Sequence, residues 1–294
     1  MTSALLDEPA PASSAAARPL AELTIELAQG CLDKLETPGA LEDEEVVHDL
    51  RVATKKLRAA WNLVKGLAGS ELSRQRREAL QHLSAQLSAS RDLAVLDSLA
   101  QKLAAQQTDG EIALALDTLR DQMRTPSGHT AADPELAASD TLSLVRNHLR
   151  EEIHAWHTLD HHESDHWRRA IRHQLRKSRT RACRDSFEAL RSQDPELWHD
   201  WRKTVKRLRY QREFVAHMQG RTTGKIDARI SRLGSRLGDR NDLANLAALA
   251  DRYRDEAKLS PPIHGLIRKA IALEERQLLS NCRRLGRTTF LRRK

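Results

Sequence analysis

Between Glu44 and Val64 the apolar residues Leu50, Ala53, Leu57, Ala60 and Val64 recur at steps of three and four, with Trp61 beside Ala60. That spacing predicts a helix with one apolar face. On the other side His48, Arg51, Lys55 and Arg58 fall at i, i+3, i+7 and i+10, a cationic stripe of about 15 Å at ~1.5 Å per residue. The same periodicity runs through the rest of the chain, and strand-like alternation of Val, Ile and aromatic residues is absent. It predicts helices near 20–36, 42–67, 70–88, 91–107, 110–123, 136–158, 165–192, 195–218, 223–238, 240–257 and 263–290. Breaks are expected at Pro38-Gly39, Gly69-Ser70, Asp109-Gly110, Pro195, Gly220 and Pro261-Pro262, with Asp194 capping the helix that Pro195 begins. The fold class is all-α, and short loops between helices imply antiparallel bundles.

The first stripe occurs twice. "HDLRVATKKLR" from His48 and "HDWRKTVKRLR" from His199 align at an offset of 151, so His199, Arg202, Lys206 and Arg209 repeat the pattern, with Lys203 and Arg207 alongside. Each copy is followed by a second echo, "LSASRDLAVL" around Asp92 and "LGDRNDLANL" around Asp242, each read as an Asp-bearing turn. Two landmarks in the same order point to a tandem duplication. The expected division is a flexible tail 1–18, a first bundle 19–124, a linker with a bridging helix 125–164, and a second bundle 165–294. Trp61 and Trp201 fall on the core side.

Charge sharpens this picture. The formal net charge is +8 over 294 residues, but residues 1–45 hold ten acids against Arg18 and Lys34. Residues 165–240 hold 21 lysines and arginines against 9 acids. Such a field gathers polyanions: nucleic acid, an anionic membrane surface or another phosphate polymer. Further stripes run through Arg169, Arg172, Arg176 and Arg179, and through Lys225, Arg229, Arg232, Arg236 and Arg240, whereas Arg74 and Arg77 form a weaker one. Repeated like charges at helical spacing repel one another and ask for an anion. Glu42, Asp43, Glu44 and Glu45 precede the first stripe, where they favour the N-terminal end of its helix.

The doubled "HDLRVATKKLR" and "HDWRKTVKRLRY" with their following "SRDLAVL" and "RNDLANL" resemble the conserved histidine α-helical domain, CHAD, over roughly residues 20–290. That resemblance implies two pseudo-symmetric helical bundles with a basic groove between them. It implies inorganic polyphosphate as ligand, and an association with polyphosphate granules. Carried over by motif, His48, Arg51, Lys55, Arg58, His199, Arg202, Lys206 and Arg209 line the groove, with Arg207 beside them. Arg74, Arg172, Arg176, Lys225, Arg229, Arg232 and Arg236 are further contacts placed by stripe geometry.

A baseless polyanion fits the composition. Aromatic residues make up 3% of the chain, whereas single-stranded nucleic acid is usually gripped by stacking worth about 1–3 kcal/mol per base. Nucleic acid bound through its phosphates is the weaker alternative partner. A metal-dependent phosphohydrolase is the alternative from the enzyme class. His154, His157 and His161 share a helical face that zinc accepts, but a solvent-facing, His-rich helix end is the plainer reading, so no metal and no cofactor is assigned. No Gly-x-x-x-x-Gly-Lys, Gly-x-Ser-x-Gly or His-Glu-x-x-His motif occurs, and a binding protein is expected rather than an enzyme. Cys31, Cys183 and Cys282 suit a reducing compartment, and neither a membrane span nor a signal peptide is expected. The expected location is cytoplasmic, on granules where these form.

Overall fold

The computed structural model describes residues 18–87, 91–124, 134–159, 165–192 and 194–291. The chain is all-α. Its helices are α1 Leu20–Lys34, α2 Glu44–Leu63, α3 Ser70–Gln86, α4 Arg91–Ala105, α5 Gly110–Arg124, α6 Pro134–Thr158, α7 Asp165–Arg191, α8 Pro195–Met218, α9 Lys225–Asp255 and α10 Pro261–Gly286. A π-helical turn, Arg287–Leu291, follows α10. Among the described residues no helix is long and apolar enough to cross a membrane.

The ends of these helices follow from local chemistry. Asp43 caps α2, its Oδ1 accepting from Glu45 N at 2.7 Å and from Val46 N at 3.4 Å. Asp194 caps α8 in the same way through Glu196 N at 2.9 Å, ahead of Pro195. Gly69 and Gly220 take positive φ values of 87° and 60°, conformations that a side chain disfavours, and so mark two of the expected breaks. The expected break near residue 239 is absent, and α9 runs unbroken through Gly234 and Gly238. A helical glycine costs about 1 kcal/mol, but Leu233, Leu237, Leu243 and Leu246 are all buried on the same helix, and their packing outweighs it. Asp242, expected in a turn, consequently lies inside α9. Its counterpart Asp92 has a side chain outside the described residues.

Packing divides the chain into two compact units, each built from separate segments. The first takes residues 1–87, 135–185 and 203–231; the second takes 88–134, 186–202 and 232–294. Helices α7, α8 and α9 thus contribute to both.

In the first unit the apolar face of α2 is buried as the periodicity predicts, from Leu50 through Ala53, Leu57, Ala60 and Trp61 to Val64. Trp61 packs on Trp156 of α6 with ring centroids 4.5 Å apart. Glu152, one turn before Trp156, is fully buried and accepts from Trp61 Nε1 at 2.6 Å. Arg76 of α3 pairs with the same carboxylate at 2.7 Å. Burial pushes the Glu152 carboxyl above its usual range, while Arg76 and the Trp61 N–H pull it back. Between α2 and α8, Lys56 pairs with Glu213 at 2.5 Å, and Gln211 Nε2 donates to Asn62 Oδ1 at 2.8 Å.

The second unit has a continuous apolar core. Leu96, Ala100 and Leu103 of α4 meet Ile112, Leu116 and Leu119 of α5, with Leu243, Leu246 and Ala250 of α9 and Ile267, Ile271 and Leu278 of α10. Trp198 and Trp201 of α8 make an edge contact at 5.5 Å. Gly286 of α10 lies so close to Trp201 that an added Cβ would stand 2.7 Å from the indole Cη2. Gly286→Ala is therefore expected to cost about 1–3 kcal/mol, since the fully buried indole has nowhere to retreat. Urea denaturation checks this, and an unchanged midpoint would mean that the indole moves. Cys31 and Cys282 are buried core thiols, pushed by burial up to about 11 and about 12.

Candidate anion site

Four helix segments of the first unit bring arginines to one place. Arg58 comes from α2, Arg77 from α3, Arg181 from α7 and Arg207 from α8. Arg207 feels the charges of Arg77, Arg181 and Arg58, and Arg58 feels that of Arg77. Arg58, Arg77 and Arg207 are half-buried. Burial first, and then the neighbouring guanidinium charges, pull Arg58 and Arg207 below the usual arginine range. The one negative charge acting on Arg207 in this group is Asp185 of α7, which pairs with Arg181 Nε at 2.7 Å. Further bonds orient the fork ends: Arg58 Nη2 donates to Gln81 Oε1 at 2.9 Å, and Arg77 Nε to the Ser73 carbonyl at 2.9 Å. Four guanidiniums with one carboxylate among the charges acting on Arg207 leave a local excess of positive charge. Planar forks of this kind hold phosphate oxygens bidentately.

The sequence repeat does not translate into equal roles. Lys56 and Arg207 are equivalent in the two copies, yet Lys56 pairs with Glu213 while Arg207 joins the cluster. Arg58 joins the cluster, but its counterpart Arg209 lies over the Tyr210 ring at 5.6 Å. The register explains the difference, because α2 and α8 meet through Lys56, Asn62, Gln211 and Glu213 and so present different turns of each stripe.

The remaining candidates are distributed as follows. His48 is exposed, and Arg51 and Lys55 are half-buried, all on α2 in the first unit. Lys206 and Arg209 are half-buried there too. Arg172 and Arg176 are exposed on α7, Lys225 is exposed at the start of α9, and Arg229 is half-buried one turn later. Arg74 is turned to its own helix, pairing with Glu71 at 2.6 Å and Glu78 at 2.8 Å, whereas Arg77 next to it faces Arg58 and Arg207. In the second unit His199 is half-buried and its Nδ1 sits 2.8 Å from Asn241 Oδ1, so it ties α8 to α9. Arg202 is half-buried, and Arg232 and Arg236 are exposed, with Arg236 Nη1 3.2 Å from Asp239.

Arg240, read as the end of the α9 stripe, is instead a buried structural residue. Its guanidinium lies 4.8 Å over Trp198 and 3.1 Å from Glu275. Of the histidine cluster, His154, His157 and His166 are exposed, and His161 and His162 lie outside the described residues. No group of metal-ligating side chains is found among the described residues.

Arg181 was missed by stripe reading because it stands off the Arg169–Arg172–Arg176–Arg179 face. Its only sequence signal was Asp185 four residues on, the spacing of a helical ion pair.

Three comparisons set this chain among known proteins. The model of the CHAD domain family matches residues 26–251. No curated protein matches the chain. Two solved structures superpose on it: PptA from Streptomyces chartreusis, 18% identical, covering 94% of this chain and 100% of that one with a TM-score of 0.64, and the CHAD domain from the plant Ricinus communis, 18% identical, covering 94% of each chain with a TM-score of 0.60.

Proposed function

Because the chain belongs to the CHAD family, and because its first unit gathers Arg58, Arg77, Arg181 and Arg207, with Asp185 beside Arg181, we propose that it binds inorganic polyphosphate. The arginine cluster carries this reading. Polyphosphate has about one charge per phosphate and no bases, so it is held by forks and point charges alone. The surrounding basic residues Arg51, Lys55, Arg172, Arg176, Lys206, Arg209, Lys225 and Arg229 extend the charged surface of the same unit. His199, Arg202, Arg232 and Arg236 add basic positions in the other.

A nucleic acid is the weaker partner under this reading. Trp61, Trp156, Trp198, Trp201 and Tyr210 are buried and not offered for stacking, which leaves the half-buried Trp167 and the exposed Phe187 on α7. The activity is binding rather than turnover, in keeping with the lack of nucleotide-loop, nucleophile-elbow and zinc-helix motifs in the sequence. Residence on polyphosphate granules is the cellular location that this ligand implies.

The test is a titration with polyphosphates of defined length, against triphosphate and duplex DNA, at several salt concentrations. Affinity should rise with chain length, and so should the slope of log K against log salt, because a longer chain releases more counterions. Long polyphosphate should displace DNA. Equal affinity for triphosphate and a long chain, or displacement of polyphosphate by DNA, would overturn the proposal.

A further inference from the structure

Asp185 is unusual among the acids of this chain. It lies on α7, a helix rich in arginine, and its side chain is 3% exposed. Among the described residues neither of its carboxylate oxygens meets a hydrogen-bond donor in acceptable geometry. Its compensation is charge: Arg181 Nε at 2.7 Å, Arg184 Nε at 3.9 Å, and Arg207 from the neighbouring helix. A buried carboxylate without hydrogen bonds is costly unless cations surround it. The converse holds for the arginines. Arg58 and Arg207 are drawn from water beside Arg77, and guanidiniums so placed need a negative partner.

We propose that Asp185 is a resident counter-anion, taking from within the protein the place that one phosphate group would otherwise hold beside Arg181 and Arg207, at the edge of the cluster they form with Arg58 and Arg77. The inference rests on the cluster being the anion site proposed above, and it adds which anions the site rejects. Asp185 is buried while Arg181 beside it is exposed, so an arriving anion meets the cluster from its solvent side and does not expel the carboxylate. A single orthophosphate meets a cluster that is already part-neutralised and gains little. A long chain meets the same deficit, but its many further charges offset it. Asp185 thereby sets a threshold of ligand charge, a selectivity built by subtraction.

The experiment is thermal melting of the full chain, parent and Asp185→Asn, in sodium chloride and in sodium phosphate of equal ionic strength. In chloride the variant should melt about 5 °C lower, because Arg181 and Arg207 lose a counter-charge beside Arg58 and Arg77. Phosphate should restore most of that loss and leave the parent almost unmoved. A variant as stable as the parent in chloride, or a phosphate effect equal in both proteins, would overturn the proposal. The double variant Arg207→Gln with Asp185→Asn removes one charge of each sign and should melt near the parent. If Asp185→Asn alone fails to fold, recovery in the double variant still supports the idea, and failure of the double variant to recover sinks it. These melts use no polyphosphate, so a parent that ignores polyphosphate would defeat the function proposed above and leave their outcome readable.

Discussion

Glu152→Ala should lower the unfolding free energy by about 3–5 kcal/mol, the cost of stripping one partner from a buried ion pair. Glu152 has no exposed surface, and three elements converge on it: Trp61 of α2, Arg76 of α3 and α6 itself. Its removal leaves the Trp61 N–H without its acceptor and opens a space beside the Trp61–Trp156 contact. Arg76 is 15% exposed and keeps a second partner, Glu151, at 3.2 Å. That reserve partner lies in water, so Glu151→Ala should cost about 0–1 kcal/mol. The contrast between adjacent glutamates is the decisive reading, taken from urea midpoints at constant slope. Equal effects at 151 and 152, or a loss under about 1 kcal/mol at 152, would show that the pair adds little beyond packing. The double change with Arg76→Ala should cost less than the sum of the single changes, because it leaves no orphaned charge.

The apolar faces were legible in the sequence because burial in a helix leaves a period. Leu50, Ala53, Leu57, Ala60, Trp61 and Val64 are all buried where that period placed them. The Asp194 cap was legible as well, since it acts within two residues of itself, whereas Asp43 lay inside the expected helix 42–67 and proves to be its cap. What failed to show was anything set by a partner far along the chain. Glu152 reads as an ordinary surface acid until Arg76 and Trp61 are brought to it. Arg240 has the spacing of a ligand residue and the surroundings of a core one, because Trp198 and Glu275 reach it from other helices. The continuity of α9 was hidden for a related reason. Two glycines argue locally for a break, and the leucines that override them are buried only by the tertiary fold. At the proposed anion site Arg58 and Arg207 stand on the repeated stripes, whereas Arg74 and Arg77 share α3 and only its rotation against α2 and α8 separates them.

Arg58→Gln combined with Arg207→Gln should weaken long-chain polyphosphate binding by about 10²–10⁴-fold, with each lost charged hydrogen-bonding group costing about 1.5–3 kcal/mol. These two arginines come from the two copies of the repeated motif and meet in one cluster, so their joint removal halves its guanidiniums. The salt slope should fall by roughly two phosphate equivalents, which a general loss of fold would not produce. Stability in the absence of ligand should change little, because relief of the half-buried like charges offsets the loss of Arg207 as a counter-charge to Asp185. Arg74→Gln supplies the matched control. It removes an arginine of the same charge from the same unit, but one engaged by Glu71 and Glu78, and it should change affinity by less than about threefold. Isothermal titration with a long polyphosphate, run beside melting of each free protein, reads all of these together. If Arg74→Gln weakens binding as much as the double variant, affinity follows net charge alone and the cluster has no special part in it. If the double variant binds as the parent does, the polyphosphate lies elsewhere on the chain.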